Sequence, residues 1–333
     1  MATPRFSHTA TLLRDGKVLV AGGSPSGFDA MASAELYDPA SASWTITGSM
    51  IEARAGHTAT LLPNGKVLVV GGNSSGQTLA SAEVYDSGTG SWSAAGKMKE
   101  SRAGHAATLL VGGKVLVTGG YPSLGLPTVS ASVEVYDPTS ETWTATGQMT
   151  KARNGLTATL LPDGKVLVAG GEGSIPSPMA SAELYDPSTG SWAATGKMTE
   201  ARNGHTAARL PGGMVLVVGG GTAASAELYD PTSGTWTATG QMTEARNGLT
   251  ATLLPDGTVL VAGGIGNGGS GPLATAELYD PSTATWTGVG EMVESRVGHT
   301  ATLLQNGKVL VAGGNSLSGP LASAELHDPG RGS

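Results

Sequence analysis

Five of the six histidines in this 333-residue sequence occupy one position of a recurring phrase, and leucine fills that position in two further copies. The histidines are His8, His57, His105, His205 and His299, and the leucines are Leu156 and Leu249. Histidine is a common metal ligand, so one interpretation is a ring of metal ligands. However, leucine substitutes here, and neighbouring copies should lie farther apart than the roughly 3 Å between ligands of one ion. We therefore predict a structural role, a hydrogen bond to neighbouring backbone, and no metal site.

A glutamate and, three residues later, an aspartate also recur in every copy. The glutamates are Glu35, Glu83, Glu134, Glu183, Glu227, Glu277 and Glu325, and the aspartates are Asp38, Asp86, Asp137, Asp186, Asp230, Asp280 and Asp328. Acid–base catalysis by two carboxyl groups needs different environments, whereas a sevenfold pattern favours equivalent ones. We predict that each glutamate forms a shielded ion pair with the arginine that begins its copy, and that each aspartate accepts a hydrogen bond from its own turn. The arginines are Arg5, Arg54, Arg102, Arg153, Arg202, Arg246 and Arg296.

Other residue patterns give little support for catalysis. The chain has no cysteine, which excludes disulfides, thiol nucleophiles, cysteine-ligated zinc and iron–sulfur clusters. No Ser/His/Asp order stands out from the repeats, and the glycine-rich segment 266–271 precedes no predicted helix, unlike a nucleotide-binding loop. We predict no catalytic residues and no cofactor, and an enzyme is the less favoured interpretation.

The elements that position these residues follow from a repeat with a period near 50, since successive leading arginines are 49, 48, 51, 49, 44 and 50 residues apart. In each copy a dipeptide such as Asp15-Gly16 predicts a tight hairpin between two strands. In the first copy the predicted strands are 8–13, 17–21, 34–38 and 44–47. Such small sheets bury their faces by stacking around an axis, so we predict one all-β domain over residues 1–329. Its repeats span approximately 5–49, 54–98, 102–149, 153–198, 202–242, 246–292 and 296–329.

Six copies carry a tryptophan seven residues after a tyrosine, and a double glycine such as Gly22-Gly23 ends each second strand. The tryptophans are Trp44, Trp92, Trp143, Trp192, Trp236 and Trp286. We predict that they are packing residues, and that the glycines let the aromatic rings approach the backbone. The double glycine, the Tyr–Trp spacing and the Arg-x-Gly-His phrase resemble the kelch repeat family over essentially the whole chain. The resemblance implies a seven-bladed β-propeller with the first strand of each blade innermost.

The resemblance leaves the activity open, because kelch propellers serve as protein-binding domains, sugar-binding domains and enzyme scaffolds. Copper-radical oxidases that resemble kelch proteins need a cysteine cross-linked to tyrosine, and this chain has no cysteine. The leading hypothesis is a non-catalytic binding or scaffold module for a protein, a peptide or a small ligand at the channel mouth. The alternatives are a sugar-active protein, either a lectin or an isomerase similar to the sialic-acid mutarotases, and an engineered propeller scaffold.

Candidate binding residues lie where the repeat varies. The loop between the second and third strands differs in every copy: 24–32, 73–80, 121–130, 172–180, 221–224, 265–274 and 315–322. By connectivity it lies on the same face as the linker before the first strand, so both should border one channel mouth. The predicted ligand-binding residues are Asn154, Asn203, Asn247, Tyr121 and Glu172. Because the loops are mostly Gly, Ser, Pro and Ala, plain solvent-facing connectors remain an equal alternative.

The seventh copy is incomplete. It carries His327 where the others have tyrosine, and the sequence ends at Ser333 before any tryptophan strand. Residues 1–4 align with the linker at 50–53, so we predict 27 strands, with the last blade lacking its outermost strand. Closure should rest on apolar contacts between blades one and seven, and the bare third strand is an edge open to pairing with another chain. The final Gly-Arg-Gly-Ser at 330–333 resembles a cloning scar, which favours an excised or engineered piece.

Composition and charge limit the classes of binding partner. The net charge of −7 without a basic block argues against a nucleic-acid partner. The sequence contains no apolar run of about 18 residues, the length that a membrane-spanning helix needs, and its N-terminus lacks a signal-peptide pattern. We predict a soluble monomer with a protein, peptide or carbohydrate ligand, and no compartment is indicated.

Overall fold

Short antiparallel hairpins build the structure, a computed structural model that describes residues 1–27, 29–123, 128–174 and 177–329. In these ranges, 27 strands form seven sheets, six with four strands and the last with three. Six further two-residue strands and a 3-10 turn, Asn267–Gly269, lie in the connecting loops. The predicted all-β, seven-bladed propeller is confirmed, and the last blade has three strands within the described residues. No helix in the described ranges is long and apolar enough to span a membrane.

Each blade uses its strands in chain order. The first strands are β1 (Thr9–Leu12), β5 (Thr58–Leu61), β11 (Ala106–Leu109), β15 (Thr157–Leu160), β19 (Thr206–Arg209), β24 (Thr250–Leu253) and β29 (Thr300–Leu303). The second strands are β2 (Val18–Ala21), β6 (Val67–Val70), β12 (Val115–Thr118), β16 (Val166–Ala169), β20 (Val215–Val218), β25 (Val259–Ala262) and β30 (Val309–Ala312). The third strands are β3 (Ala34–Asp38), β9 (Ser81–Asp86), β13 (Val133–Asp137), β17 (Ala182–Asp186), β21 (Ala226–Asp230), β27 (Thr275–Asp280) and β33 (Ala324–His327). The fourth strands are β4 (Ser43–Thr47), β10 (Ser91–Lys97), β14 (Thr142–Ala145), β18 (Ser191–Ala194), β22 (Thr235–Ala238) and β28 (Thr285–Glu291), and the loop strands are β7 (Asn73–Ser74), β8 (Gln77–Thr78), β23 (Arg246–Asn247), β26 (Ile265–Gly266), β31 (Asn315–Ser316) and β32 (Gly319–Pro320).

The first strands line the central channel. Each contacts the first strand of the next blade, and β29 contacts β1, so the ring is closed. The second strands are buried along their whole length, whereas the fourth strands are largely exposed. The order implied by the resemblance, with the first strand innermost, is therefore confirmed.

Apolar contacts join neighbouring blades. Because side chains alternate across a strand, the Val-Leu-Val pattern of the second strands presents valine on one face and leucine on the other. Between blades one and two, Leu19 forms one buried cluster with Val67 and Val69. The ring closes in the same way, since Leu310 of blade seven clusters with Val18 of blade one. Closure through apolar contacts is confirmed, and burial of each such side chain contributes about 1.5–3 kcal/mol.

A buried arginine connects each blade to the preceding one, as Arg54 illustrates. Its backbone bonds to blade one: the N–H donates to the Met31 carbonyl at 3.1 Å, and its carbonyl accepts from the Gly23 N–H at 2.9 Å. Its side chain lies in blade two, where Nη2 donates to Glu83 Oε1 at 2.7 Å and Nη1 to the Gly71 carbonyl at 2.8 Å. All seven leading arginines are 0% exposed and pair with the glutamate of their third strand. The predicted repeated, shielded ion pair is confirmed.

A second glutamate near each of five arginines was not predicted. Glu52 Oε2 lies 3.8 Å from Arg54 Nη2 and also accepts a hydrogen bond from Ser81 Oγ. The five glutamates are Glu52, Glu100, Glu200, Glu244 and Glu294. Their signal in the sequence is a glutamate two residues before the arginine. A buried guanidinium is costly unless its charge is compensated, and at these five arginines two carboxylates share that role.

The outer parts of the blades confirm two further predictions. The Tyr and Trp rings of six blades pack with centroids 5.0–5.1 Å apart. In six blades the recurring aspartate accepts a hydrogen bond from its own turn; for example, Asp186 Oδ1 accepts from the Ser188 N–H at 2.9 Å. The aromatic residues therefore pack within the fold, and the aspartates fix the hairpin between the third and fourth strands.

The first glycine of each pair lies against the arginine segment of the next blade and the second against the linker of its own blade, so the prediction that they receive the aromatic rings was wrong. A Cβ on Gly22 would lie 2.5 Å from the Arg54 carbonyl oxygen and 2.7 Å from His57 Cε1. The hydrogen bond from the Gly23 N–H to the Arg54 carbonyl brings the two backbone segments close together. At the Cα of Gly22 there is therefore room for a hydrogen atom but not for a side chain. Gly22 also has a φ of +63°, in the left-handed region that favours glycine.

The close approach at Gly22 predicts a contrast between two alanine substitutions. Gly56 has a φ of +62° but nothing within 4 Å of its Cβ direction, so Gly56→Ala should cost about 1–2 kcal/mol from backbone strain alone. Gly22→Ala adds a clash with backbone at the blade junction and should cost about 3–4 kcal/mol. Urea unfolding followed by tryptophan fluorescence measures both. Equal losses would contradict the assigned contact.

The ion pair predicts a pH-dependent loss in the variant Glu183→Gln. Burial alone would raise the pKa of the Glu183 carboxyl, but hydrogen bonds from the Thr150 N–H and hydroxyl, together with Arg153, hold that pKa below its ordinary value. A lowered pKa stabilises the fold above the ordinary carboxyl pKa, and this contribution is lost as the pH falls through the lowered value. At pH 7 we expect Glu183→Gln to lose about 2–4 kcal/mol, since a buried guanidinium keeps its charge without its partner.

The matched control for this substitution is Asp163→Asn, which removes an exposed carboxylate whose ion pair with Lys165 spans 3.2 Å. Exposed pairs contribute little, so its melting temperature should stay near that of the unmodified protein. Melting curves between pH 3 and pH 8 should show that Glu183→Gln is less sensitive to acid. A Glu183→Gln variant as stable as the control at pH 7 would contradict the role of the pair.

Candidate functional site

The channel mouth is formed by two sets of segments, as connectivity predicts. In five blades the linker before the first strand pairs with the start of the following loop through a single backbone bridge, such as Phe6 with Ser24 and Ala103 with Tyr121, and in blade six through β23 and β26. Linkers of neighbouring blades are also hydrogen-bonded to one another. For example, the Ser7 carbonyl accepts from the Gly56 N–H at 2.8 Å. Backbone thus frames the opening rigidly, and the side chains beside this frame define its chemistry.

One ring of positions around the mouth does not repeat. The residue after each leading arginine is Phe6, Ala55, Ala103, Asn154, Asn203, Asn247 or Val297 in blades one to seven. Apolar residues thus occupy blades seven, one, two and three, whereas amides occupy blades four, five and six. The mouth therefore has an apolar side and an amide side, although the scaffold beneath them is nearly symmetric.

On the amide side, the structure brings together several of the predicted binding residues. Asn203 Nδ2 donates to Glu172 Oε2 across the junction of blades four and five at 3.0 Å. A Cβ on Gly155 would lie 2.2 Å from Asn203 Oδ1, so this amide lies against the backbone next to Asn154. Asn247 lies one blade farther on, where its backbone pairs with Ile265. All three asparagines are partly exposed.

Tyr121 lies on the apolar side and adjoins this group, since a Cβ on Gly104 would lie 3.2 Å from Tyr121 Cε1 and 3.8 Å from Asn154 Cβ. It borders a cleft of about 430 Å³ whose lining includes Phe6, Asp29 and Asn73. Asn73 Nδ2 donates to the Tyr121 hydroxyl at 2.8 Å, which fixes the ring at the edge of the cleft. The five predicted residues therefore fall into two neighbouring groups.

Phe6 and Asn73 were not among the predicted site residues. Phe6 is one of two phenylalanines in the chain and occupies the position of the three asparagines, which is the signal that would have found it. Asn73 occupies the position equivalent to Tyr121, directly after the double glycine. Parts of three predicted loops, residues 28, 124–127 and 175–176, lie outside the described residues, as do the final residues 330–333.

The recurring histidines bridge neighbouring blades. His57 Nε2 lies 3.0 Å from Thr9 Oγ1 of the preceding blade, and the other four contact equivalent threonines at 2.9–3.1 Å. A threonine hydroxyl on the innermost strand is thus a partner of each histidine that was not predicted. Within the described ranges no three His, Asp or Glu side chains are grouped so as to hold a metal ion.

Burial determines the protonation of these histidines. Desolvation, followed by the charge of Arg102, lowers the pKa of His105 to about 3. Leu156 replaces histidine where the preceding blade carries Ala106 instead of threonine, and the two cluster with the apolar core. A neutral His–Thr pair and a Leu–Ala pair therefore occupy equivalent places in the fold.

This equivalence predicts how acid stability changes with histidine content. A buried histidine with a lowered pKa stabilises the fold above its ordinary pKa near 6.5, and this contribution is lost as the pH falls toward 3. The double variant His105→Leu/Thr58→Ala copies the Leu–Ala pair. Between pH 7.5 and pH 5 the free energy of unfolding of this double variant should fall by about 1–2 kcal/mol less than that of the control Thr58→Ala. Identical pH profiles by urea unfolding would contradict this assignment.

Comparisons with known proteins agree with this geometry. A family model described as the KLHDC2/KLHL20/DRC7 kelch-repeats domain matches residues 1–171, and the kelch motif matches 156–199 and 249–293. No curated protein matches the sequence significantly. Among solved structures, a fungal alcohol oxidase of the AA5 family in complex with copper is 22% identical, with a TM-score of 0.75 over 95% of this chain and 71% of that one. At that identity the likeness concerns the fold alone, and the chain belongs to the kelch-repeat β-propeller family.

Proposed function

We propose that this kelch propeller is a non-catalytic binding module whose ligand, a peptide segment of a partner protein, lies across the channel mouth. The observation that carries the proposal is the non-repeating ring beside the repeated backbone frame. Blade interiors repeat nearly the same residues, but the mouth changes from apolar on one side to amide on the other. Variable side chains on a rigid scaffold are the usual arrangement of a binding surface.

The chemistry of the two sides favours a peptide. The cleft between Phe6 and Tyr121, about 430 Å³, is within the size range of ligand pockets and accommodates a large apolar side chain. The amides of Asn154 and Asn247 both donate and accept hydrogen bonds, which suits the N–H and C=O groups of a peptide backbone. Carboxylates border both sides, Asp29 and Glu172, and favour a basic residue in the ligand.

A displayed library of random 12-residue peptides tests the proposal. Peptides enriched on the unmodified protein are measured again on Phe6→Ala/Tyr121→Ala and on Asn203→Ala by fluorescence anisotropy. We expect Kd to rise at least about tenfold in the double variant, because aromatic anchors dominate such interfaces. The Asn203→Ala variant should weaken binding severalfold through lost hydrogen bonds.

The matched control lies on the opposite face of the ring. Val111 is 78% exposed and borders a separate cleft between the hairpins of blades three and four, so Val111→Ala should leave Kd unchanged. Selected peptides that bind all variants equally would contradict a site at the mouth. Binding of a glycan that depends on Tyr121 would identify the ligand as a sugar and contradict the proposal of a peptide.

A further inference from the structure

The rim of the channel mouth is uneven, because the loop between the second and third strands is much shorter in blade five than elsewhere. It has four residues, 221–224, compared with eight to ten in every other blade. Glu200, in the linker of the same blade, holds this loop down: its Oε1 accepts from the Thr222 N–H at 2.8 Å and from the Ala223 N–H at 3.0 Å. Blade five therefore leaves a gap in the rim.

The floor of this gap offers backbone groups to a ligand. The linkers of blades three and four are joined by the Gly155 N–H and the Gly104 carbonyl at 2.9 Å, and those of blades five and six by the Gly248 N–H and the Gly204 carbonyl at 2.8 Å. Between blades four and five, the Gly155 carbonyl and the Gly204 N–H make no hydrogen bond within the described residues. Both glycines are partly exposed, and glycine lets another backbone approach closely. An extended peptide can bond to both groups.

Side chains of different chemistry border the gap. On the side of blade four, Glu172 is partly exposed and accepts from Asn203 Nδ2 at 3.0 Å. On the side of blade six, Ile265 is 42% exposed. The loop of blade six also contacts the short loop, because Asn267 Nδ2 donates to the Thr222 carbonyl at 2.5 Å. A chain in the gap therefore has a carboxylate on one side and an apolar side chain on the other.

The cleft bordered by Phe6 and Tyr121 lies across the mouth from this gap. Its lining comes mainly from blades one and two. In the closed ring, blade five lies three blades from blade two in one direction and three blades from blade one in the other. A line from the cleft through the centre of the mouth therefore ends at the gap.

Resting on the proposed function, we infer that the bound peptide crosses the whole mouth, with a large apolar side chain in the cleft and its main chain leaving over blade five. At the gap, Gly155 and Gly204 bind its backbone, Ile265 contacts an apolar residue and Glu172 pairs with a basic one. The ligand is thus a linear motif of a longer partner chain, in which a basic residue and an apolar residue follow the anchor at a constant spacing. Every other blade has a loop of at least eight residues, so the partner chain continues outward most easily over blade five.

A loop exchange tests this path with the peptides selected on the unmodified protein. Replacing residues 221–224 by the sequence of residues 73–80, the loop of blade two, closes the gap and should raise Kd at least about tenfold. The matched control replaces residues 315–322 of blade seven, also eight in number, by the same sequence. This control should leave Kd unchanged, and melting curves of both proteins check that they are folded.

Disulfide trapping locates the peptide on a protein whose loops keep their length. Because the chain has no cysteine, Ala223→Cys and Ser318→Cys each introduce a single thiol, at exposed positions in the loops of blades five and seven. Each selected peptide is synthesised in two forms, with a cysteine at one end or at the other. We expect Ala223→Cys to trap one of the two forms and Ser318→Cys to trap neither, as measured by mass spectrometry.

The outcomes separate this path from the proposed function. Peptides that need Phe6 and Tyr121 but bind the blade-five exchange as tightly as the control would overturn the path alone. Trapping by Ser318→Cys, or by neither variant, would do the same. A selection that yields no peptide dependent on the mouth would overturn both proposals.

Discussion

The seven buried arginines are the constraint on which the propeller depends. Each belongs to one blade through its backbone and to the next through its guanidinium, so it fixes both the distance and the orientation between neighbouring sheets. A buried ion pair adds little net stability by itself, because desolvation offsets the attraction. Its contribution here is to specify one arrangement of sheets that would otherwise meet through interchangeable valines and leucines. The apolar contacts supply the driving force, and the arginines define the geometry.

Much of the fold could be predicted because the local signals repeat. Turn dipeptides such as Asp15-Gly16 fixed the first hairpin of each blade, and the structure places β1 and β2 within one residue of the expected ends. The ion pair was predictable for a related reason. An arginine and a glutamate recur together in each of seven small sheets, where each can compensate the charge of the other. Repetition makes a short-range signal reliable. It also favours a structural role over a catalytic one for a residue that recurs in every copy.

The errors lie where a contact crosses from one blade to the next. Gly22 was assigned to an aromatic neighbour, yet its partner is the arginine carbonyl of the following blade. The bonds from the histidines to threonines of the preceding blade were not predicted. Phe6 and Asn73 were missed because the cleft they line combines blades one, two and three. A linear sequence shows the spacing within a repeat but does not show which groups face each other across a junction.

The proposed surface at the channel mouth owes its chemistry to positions that the repeat leaves free. There several blades contribute different side chains, so no second example within the molecule shows the partner of Phe6. Repetition of the blade interiors therefore defines the scaffold, whereas the ligand is defined by the few residues that differ from blade to blade. A binding surface on a nearly symmetric ring is recognised by its departure from the symmetry.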